Sequence, residues 1–328
     1  MTDLKKYMLL TALAFSLTKT YAQQTLQYSQ YMFNGLAVNP AYAGYKEDWT
    51  LSVSSRLQWV GVDGAPKTST VAIDGVTSAK SKNIGLGILV NNDRLGPENN
   101  SSAYINYSYR IRLDEADTKR LCFGIGVGAI QYTVDGSQFN AADITDGYIP
   151  TGLQSKLTAD FRAGIYYYSP WIYFGASMLN LYPQAAVNTT ANMAVITPVR
   201  TLYATVGFMV PISPLVDWKP SVMIKEDFKG PTNLDAATYF LFGKVLWIGG
   251  AYSTGVTLWN KTNLPSNLYK TDAITGIMAI SFSSRYRIGY SYDFNTNKIP
   301  GYNTASHEVS LSFSFGRRND RILSPRYF

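Results

Sequence analysis

The chain has one cysteine, Cys122, and one histidine, His307. A single cysteine excludes an internal disulfide and any cysteine-based metal cluster. A single histidine gives a histidine metal site almost nothing to work with, and a Ser-His-acid centre would have to be built around His307 itself. His307 sits where a last strand would start, and Cys122 reads as a small strand residue. Charged residues make up only 16% of the chain, for a net charge of +7. The basic residues are scattered singly, apart from Arg317, Arg318 and Arg321 near the end. Scattered cations do not form a nucleic-acid groove. No apolar run reaches the roughly 20 residues a spanning helix needs, and no window has strong helical character.

What is present in quantity is tyrosine (25), phenylalanine (15) and glycine (26), an all-β composition. The beginning reads as an export signal over 1–22. Lys5 and Lys6 precede a short apolar run, Met8 to Leu17, and Thr20-Tyr21-Ala22 forms a small-residue cleavage site. Without that segment, which carries Lys5, Lys6, Lys19 and Asp3, the net charge falls from +7 to +5.

From Trp49 onward the chain alternates. In Ser306 to Phe315, Val309, Leu311, Phe313 and Phe315 share one parity and Glu308, Ser310, Ser312 and Ser314 the other. Side chains alternate across a strand, so one face is apolar and the other polar. The same pattern recurs at Leu51, Val53 and Leu57 against Ser52, Ser54, Arg56 and Gln58. It recurs at Ile105, Tyr107, Tyr109 and Ile111 against Asn106, Ser108, Arg110 and Arg112, and at Phe161, Ala163 and Ile165 against Asp160, Arg162 and Gly164. Two stretches, Trp171 to Leu179 and Leu202 to Val210, are apolar on both parities. About fourteen strands result, each near the length of a tilted membrane strand.

The connections alternate in length as well. Those at 77–83, 114–118, 169–170, 211–215, 243–244 and 283–285 are short. Those at 60–67, 92–101, 133–157, 180–201, 226–233, 253–272 and 294–306 are longer. Short turns at one end and long loops at the other are the layout of an outer-membrane barrel, with both termini on the periplasmic side. Lipid offers no water to unpaired backbone groups, so a barrel must close and carry its apolar face outward. The lumen then receives Arg56, Gln58, Arg110, Arg112, Asp160, Arg162, Arg287 and Asp293, with carboxylates such as Asp74 and Glu308 pairing the arginines. Trp49, Trp59, Tyr109, Tyr167, Trp171, Tyr252, Tyr286 and Phe315 fall near strand ends, where interfacial girdles form. The expected organisation is a segment at 23–48, periplasmic or lumenal, a barrel over 49–315 and a basic tail over 316–328. Either Phe315 or Phe328 can act as the terminal assembly signal.

Residues 23–48 do not read as strand. Tyr31, Phe33, Asn34, Asn39, Pro40, Tyr42 and Gly44 form a box too apolar for a solvated tail, with a turn at Asn39-Pro40. Gly124, Gly126 and Gly128 alternate within a strand and lack the following helix of a phosphate site. They either make room in the lumen for the box or relieve crowding in a bent strand. Asp143 and Asp146 are loop carboxylates without calcium-loop spacing. Tyr148, Tyr182, Trp259, Leu264 and Tyr269 lie in long loops, where exposed aromatic and aliphatic side chains anchor protein partners.

The box from Gln30 to Gly44, followed by Arg56-Leu57-Gln58-Trp59-Val60-Gly61 and Gly64-Ala65-Pro66-Lys67-Thr68, resembles the start of the PorP/SprF family. A second marker stands at Gly289 to Phe294 and Ser306 to Leu311. The resemblance spans nearly the whole chain after the signal. It implies an outer-membrane barrel of the type IX secretion system of Bacteroidota, without a cofactor or catalytic role. It further implies help in exporting and surface-anchoring a partner that bears a type B C-terminal domain, such as a gliding-motility adhesin, and links to periplasmic, peptidoglycan-binding components and the motor. The competing expectations are a general porin and, more remotely, an outer-membrane hydrolase.

Overall fold

The computed structural model describes residues 28–138, 152–182, 187–188, 193–194, 199–258, 261, 273–282, 285–295 and 305–315. Three short helical turns come first: η1 (Tyr31–Phe33), α1 (Gly35–Val38) and η2 (Pro40–Tyr42). Fourteen barrel strands follow. They are β1 (Thr50–Leu57), β2 (Lys67–Val76), β3 (Ile84–Leu95), β4 (Glu98–Arg112), β5 (Arg120–Asp135), β6 (Leu153–Tyr168) and β7 (Ile172–Leu179). Then come β8 (Thr201–Phe208, continued by Val210–Ser213), β9 (Val216–Glu226), β10 (Thr232–Phe242), β11 (Leu246–Val256), β12 (Ala273–Phe282), β13 (Tyr286–Asn295) and β14 (Ala305–Ser314).

Each strand pairs antiparallel with its chain neighbours, and β14 closes the ring on β1 from Thr50↔Ser314 to Leu57↔His307. Closure is what makes the sheet compatible with lipid, because a free edge in hydrocarbon costs several kcal/mol for each unpaired backbone group. The faces sort as lipid demands. In β4, Ile105 is 67% exposed, whereas Asn106, Ser108 and Arg110 are each 0% exposed. Val53, Ile88, Phe123, Ile125, Phe161, Met278, Ile288 and Leu311 continue the outer apolar surface around the ring.

Two of the expected loops give up residues to strands. Asn92 to Ser101 belongs mostly to strand: β3 runs to Leu95 and β4 starts at Glu98, leaving a turn at Gly96-Pro97. Likewise β5 reaches Asp135 and β6 begins at Leu153, inside the expected loop 133–157. The polar outer side chains that resemble loop composition are paired across strands instead. Asn92 Nδ2 donates to Asn99 Oδ1 at 2.8 Å and to Ser101 Oγ at 2.9 Å, and Gln131 Nε2 donates to Ser155 Oγ at 2.9 Å. β3 to β6 therefore rise above the apolar belt as a polar-faced flap at the long-loop end.

The interior also departs from a purely polar bore. Inward-facing Leu89, Tyr166, Tyr168, Tyr173, Tyr203, Met223, Tyr239, Leu241 and Trp247 form one buried apolar cluster with residues of the N-terminal turns. Tyr173 and Tyr203 come from the two stretches that are apolar on both parities. Their second apolar face meets protein rather than lipid.

Candidate functional site

The site is the bore of the barrel and the segment that fills it. Residues 30–45 are buried without interruption and bond to inward-facing groups around the ring. Asn39 is the central fastener. Its Oδ1 accepts from Ala41 N–H at 2.9 Å, capping η2, while its Nδ2 donates to the Ile165 carbonyl at 2.9 Å. Pro40 follows at the first helical position, where its fixed φ suits the turn and no N–H is missed. One asparagine thus shapes the segment and ties it to β6.

Other bonds fix the remaining sides. Gln30 Nε2 donates to the Glu308 carbonyl at 2.9 Å, and Ser310 Oγ donates to Gln30 Oε1 at 2.7 Å. Tyr31 Oη lies 2.8 Å from Ser221 Oγ, and Asn34 Nδ2 donates to Ser54 Oγ at 3.3 Å. Ser108 Oγ donates to the Ala41 carbonyl at 3.0 Å, and Ser177 Oγ to the Val38 carbonyl at 2.5 Å. Arg162 donates to the Ala37 carbonyl. Gly44 N–H donates to Asp74 Oδ2 at 2.9 Å. Gly44 holds φ +74°, a conformation that a side chain would strain. The Tyr42 and Tyr45 rings lie 4.6 Å apart at a 35° tilt, and Tyr45 makes edge-to-face contacts with Tyr166 and Tyr168 at 5.2 and 5.0 Å.

The wall is hollowed to receive the segment. A Cβ at Gly124 would overlap the backbone of Pro40 and Ala41, one at Gly85 the Ala43 carbonyl, and one at Gly164 the Asn39 amide. A Cβ at Gly87 would come within 2.9 Å of Leu36. A Cβ at Gly289 would overlap Gln30. Of the two readings of the alternating glycines, room for the N-terminal box accounts for Gly124. Gly126 and Gly128 instead face Arg162 with Asn106, and Tyr104.

The charged residues expected in the lumen form two groups. Arg56 Nη2 bonds Asp293 Oδ2 at 2.5 Å, and its Nη1 lies 3.5 Å from Glu308 Oε2 and bonds Ser29 Oγ. Ser29 closes the circuit: its N–H donates to Glu308 Oε2 at 2.8 Å and its hydroxyl to Asp293 Oδ1 at 2.8 Å. The Gln58 amide lies 3.1 Å from Arg56 Nε. On the opposite wall, Asp160 accepts from Tyr104 Oη at 2.9 Å, and the Arg162 guanidinium sits 4.7 Å over the Tyr104 ring. Arg110 Nη2 donates to Tyr168 Oη at 2.8 Å, and Arg287 lies 4.0 Å over the Phe33 ring. Arg112 is the exception. It pairs with Arg120 in the last rung of β4 and β5 and is exposed at the short-turn rim.

The sequence did not mark Ser177, Gly85, Gly87 or Gly164 as contacts of the segment, because small and polar residues on an inward parity look like ordinary lumen lining, and it gave Ser29 no role. Among the expected partner residues, Tyr182 is exposed just past the end of β7, with its ring edge against outward-facing Phe161 at 6.4 Å. Tyr148, Trp259, Leu264 and Tyr269 lie outside the described residues, as do Asp143, Asp146, the expected signal peptide and the basic tail. His307 is not in the bore; its ring bonds Tyr290 Oη at 2.7 Å on the outer face. One cavity beside the segment, lined by Tyr31, Tyr42, Tyr45, Tyr166, Tyr173 and Lys219, measures about 30 Å³. That is room for about two or three water molecules. Among the described residues no group of three His, Cys, Asp or Glu side chains converges.

A closed antiparallel barrel with a lipid-compatible outer face, a filled bore and short turns at one end is a plugged transmembrane β-barrel of the outer-membrane kind. The sequence pattern of the family described as "Type IX secretion system membrane protein PorP/SprF" matches residues 20–313. The chain belongs to that family. No curated protein matches it. Among solved structures it is similar to the outer membrane protein Omp33 of Acinetobacter baumannii, at 10% identity and TM-score 0.44, covering 82% of this chain and 98% of that one. It is also similar to a FadL homologue of Pseudomonas aeruginosa, at 10% identity and TM-score 0.48, covering 88% and 94%. A variant of the monoaromatic hydrocarbon channel TodX gives 13% identity and TM-score 0.48, covering 86% and 94%.

Proposed function

We propose that this type IX secretion component aids the export and surface attachment of a partner protein bearing a type B C-terminal domain, a gliding-adhesin-like cargo. On the periplasmic side it links to motor or peptidoglycan-binding components. It acts by binding and catalyses nothing. The observation that carries this reading is the filled bore. A solute channel needs a continuous aqueous path, and here residues 30–45 occupy the lumen with hydrogen bonds to β1, β2, β4, β6, β7, β9, β13 and β14 or their side chains. A barrel so filled offers its loops, rims and wall to other proteins rather than its bore to solutes. His307 lies against Tyr290 on the outer face, away from the bore, which lends the hydrolase alternative no support.

Affinity purification from native outer membranes tests the proposal. It predicts recovery of a large exported surface protein together with periplasmic secretion components. Recovery of this barrel without any exported protein would overturn it. Planar-bilayer recording addresses the porin alternative: the plugged barrel is expected to stay electrically quiet, and large steady conductance would favour a channel.

A further inference from the structure

We infer that residues 28–47 form a withdrawable plug, latched at the short-turn rim by Lys82 and released from the bore toward the periplasm. The segment descends through the barrel in one direction. Tyr28 and Ser29 sit in the long-loop half: Tyr28 Oη lies 3.3 Å from Thr70 Oγ1, and Ser29 N–H donates to Glu308 Oε2 at 2.8 Å. Asn34 is at mid-height, beside Ser54. Gly44 lies against Gly75 and Gly85 near the short-turn rim, and Val76 N–H donates to the Glu47 carbonyl at 3.1 Å. β1 starts at Thr50, so the covalent tether between plug and wall is at that same rim. A plug tethered there leaves downward. An upward exit would drag residues 46–49 through the bore behind it.

Charge identifies where the plug is held. Residues 28–45 carry no charged side chain, so no ion pair anchors the plug inside the bore. The buried charges beside Ser29 are compensated by the wall itself. Arg56 pairs with Asp293 of β13 and Glu308 of β14, and withdrawing Ser29 leaves no unpaired ion there. The segment meets an ion pair only as it reaches the rim. Glu47 Oε2 lies 2.8 Å from Lys82 Nζ, and the same Nζ lies 3.7 Å from Asp117 Oδ2. Lys82 belongs to the β2–β3 turn and Asp117 to the β4–β5 turn. Arg120 braces both turns: Nε donates to Asp117 Oδ1 at 2.6 Å, and its Nη groups donate to the Ser81 and Lys82 carbonyls at 3.2 and 2.9 Å.

Two properties make this cluster a latch rather than a fixed anchor. Its side chains are partly exposed, at 29% for Lys82, 14% for Glu47 and 24% for Asp117. Water and salt weaken ion pairs that they reach, whereas the Arg56 group is buried. The backbone is also strained there. Glu47, Lys82 and Asp117 hold φ values of +66°, +53° and +56°, a region that side chains disfavour. Residues persist in it only where their surroundings hold them, and they gather at switch regions. Of the seven described non-glycine residues with positive φ, three meet in this one cluster. Unlatching frees Glu47 from that conformation, which favours release.

The test times the reaction of a buried cysteine in the plug of the full-length protein, with Cys122→Ser removing the native thiol. Met32→Cys reports the upper half of the plug and Val38→Cys a lower point; both side chains are buried. The probe is a maleimide on a polyethylene glycol chain too bulky to cross the membrane. Folded-barrel mobility in gels confirms each variant. In outer-membrane fragments, where both sides are reached, Lys82→Met should speed labelling at both positions by about fivefold, the scale of one partly exposed ion pair. On intact cells, where only the outer side is reached, labelling should stay slow. Lys225→Met breaks a pair with Asp235 within the wall and should leave both rates unchanged. Faster labelling at 38 but not at 32 would mean that the lower end frays while the plug stays. Faster labelling of intact cells would reverse the direction. No change with Lys82→Met, or an equal change with Lys225→Met, would remove the latch. Each of these three results overturns the inference and leaves the secretion role standing.

Discussion

At Gly124 the wall and the plug are in contact, and a single methyl decides whether they fit. Valine there must displace the Ala41 backbone. Overpacking of this kind costs about 1–3 kcal/mol, so Gly124→Val should lower the temperature at which the folded barrel loses its fast gel mobility. Gly276→Ala, whose Cβ meets open space, should leave that temperature unchanged. Equal shifts in both variants would mean that glycine content, rather than contact with the plug, sets the effect. Arg56 poses the complementary case. It neutralises Asp293 and Glu308 in a site where both carboxylates are buried. Removing one partner of a buried pair leaves charge uncompensated, at about 3–5 kcal/mol. Arg56→Met should therefore destabilise the barrel by that order in denaturant titration, and Arg56→Met with Asp293→Asn and Glu308→Gln should recover a large part of it. A triple variant no better than the single one would remove the electrostatic account.

The elements divide into a wall that lipid selects and a plug that the wall selects. The helical turns of the plug are too short to persist alone, since isolated helices under about 12 residues are marginal in water. They hold their shape because Asn39 caps η2 and bonds β6 at once. Deleting 28–45 should leave the strands paired and open the bore, read as stable conductance steps in a planar bilayer where the full chain is quiet. A deletion barrel that folds and stays closed would show that something other than this segment blocks the lumen. β8 illustrates how the wall answers the plug: Tyr203 turns inward to the buried cluster while Val206 and Phe208 stay on the outer face.

On the scale of the whole molecule, solvent is the organising force. The outer face is apolar from Ile111 and Leu121 upward to Ile105 and Val127, then becomes polar at Ser101, Gln131 and Ser155. This boundary marks the end of the hydrocarbon. Ile125→Arg, within the belt, should cost about 2–4 kcal/mol in refolding into bilayers, whereas Gln131→Arg, above it, should cost about 0–1 kcal/mol. Equal costs at the two positions would contradict the placement of the membrane.

Alternation, joined with strand length, alternating connection lengths, the charged inward set and the export signal, carried the chain to a closed barrel of about fourteen strands with lipid outside, because a period of two is a local property visible residue by residue. The inward parity of Arg56, Arg110, Asp160, Arg162 and Asp293 was legible for the same reason. Loop lengths were less so: the polar residues at 92–101 and 133–135 read as loop, and only cross-strand pairing of Asn92 with Ser101 and of Thr133 with Ser155 keeps them in strand above the membrane. The path of the N-terminal box, the glycines that receive it and the Arg56–Asp293–Glu308–Ser29 circuit join residues up to 280 positions apart. No local pattern encodes such contacts. They exist because closing the ring brings distant inward faces around one small volume, and tertiary packing decides what fills it.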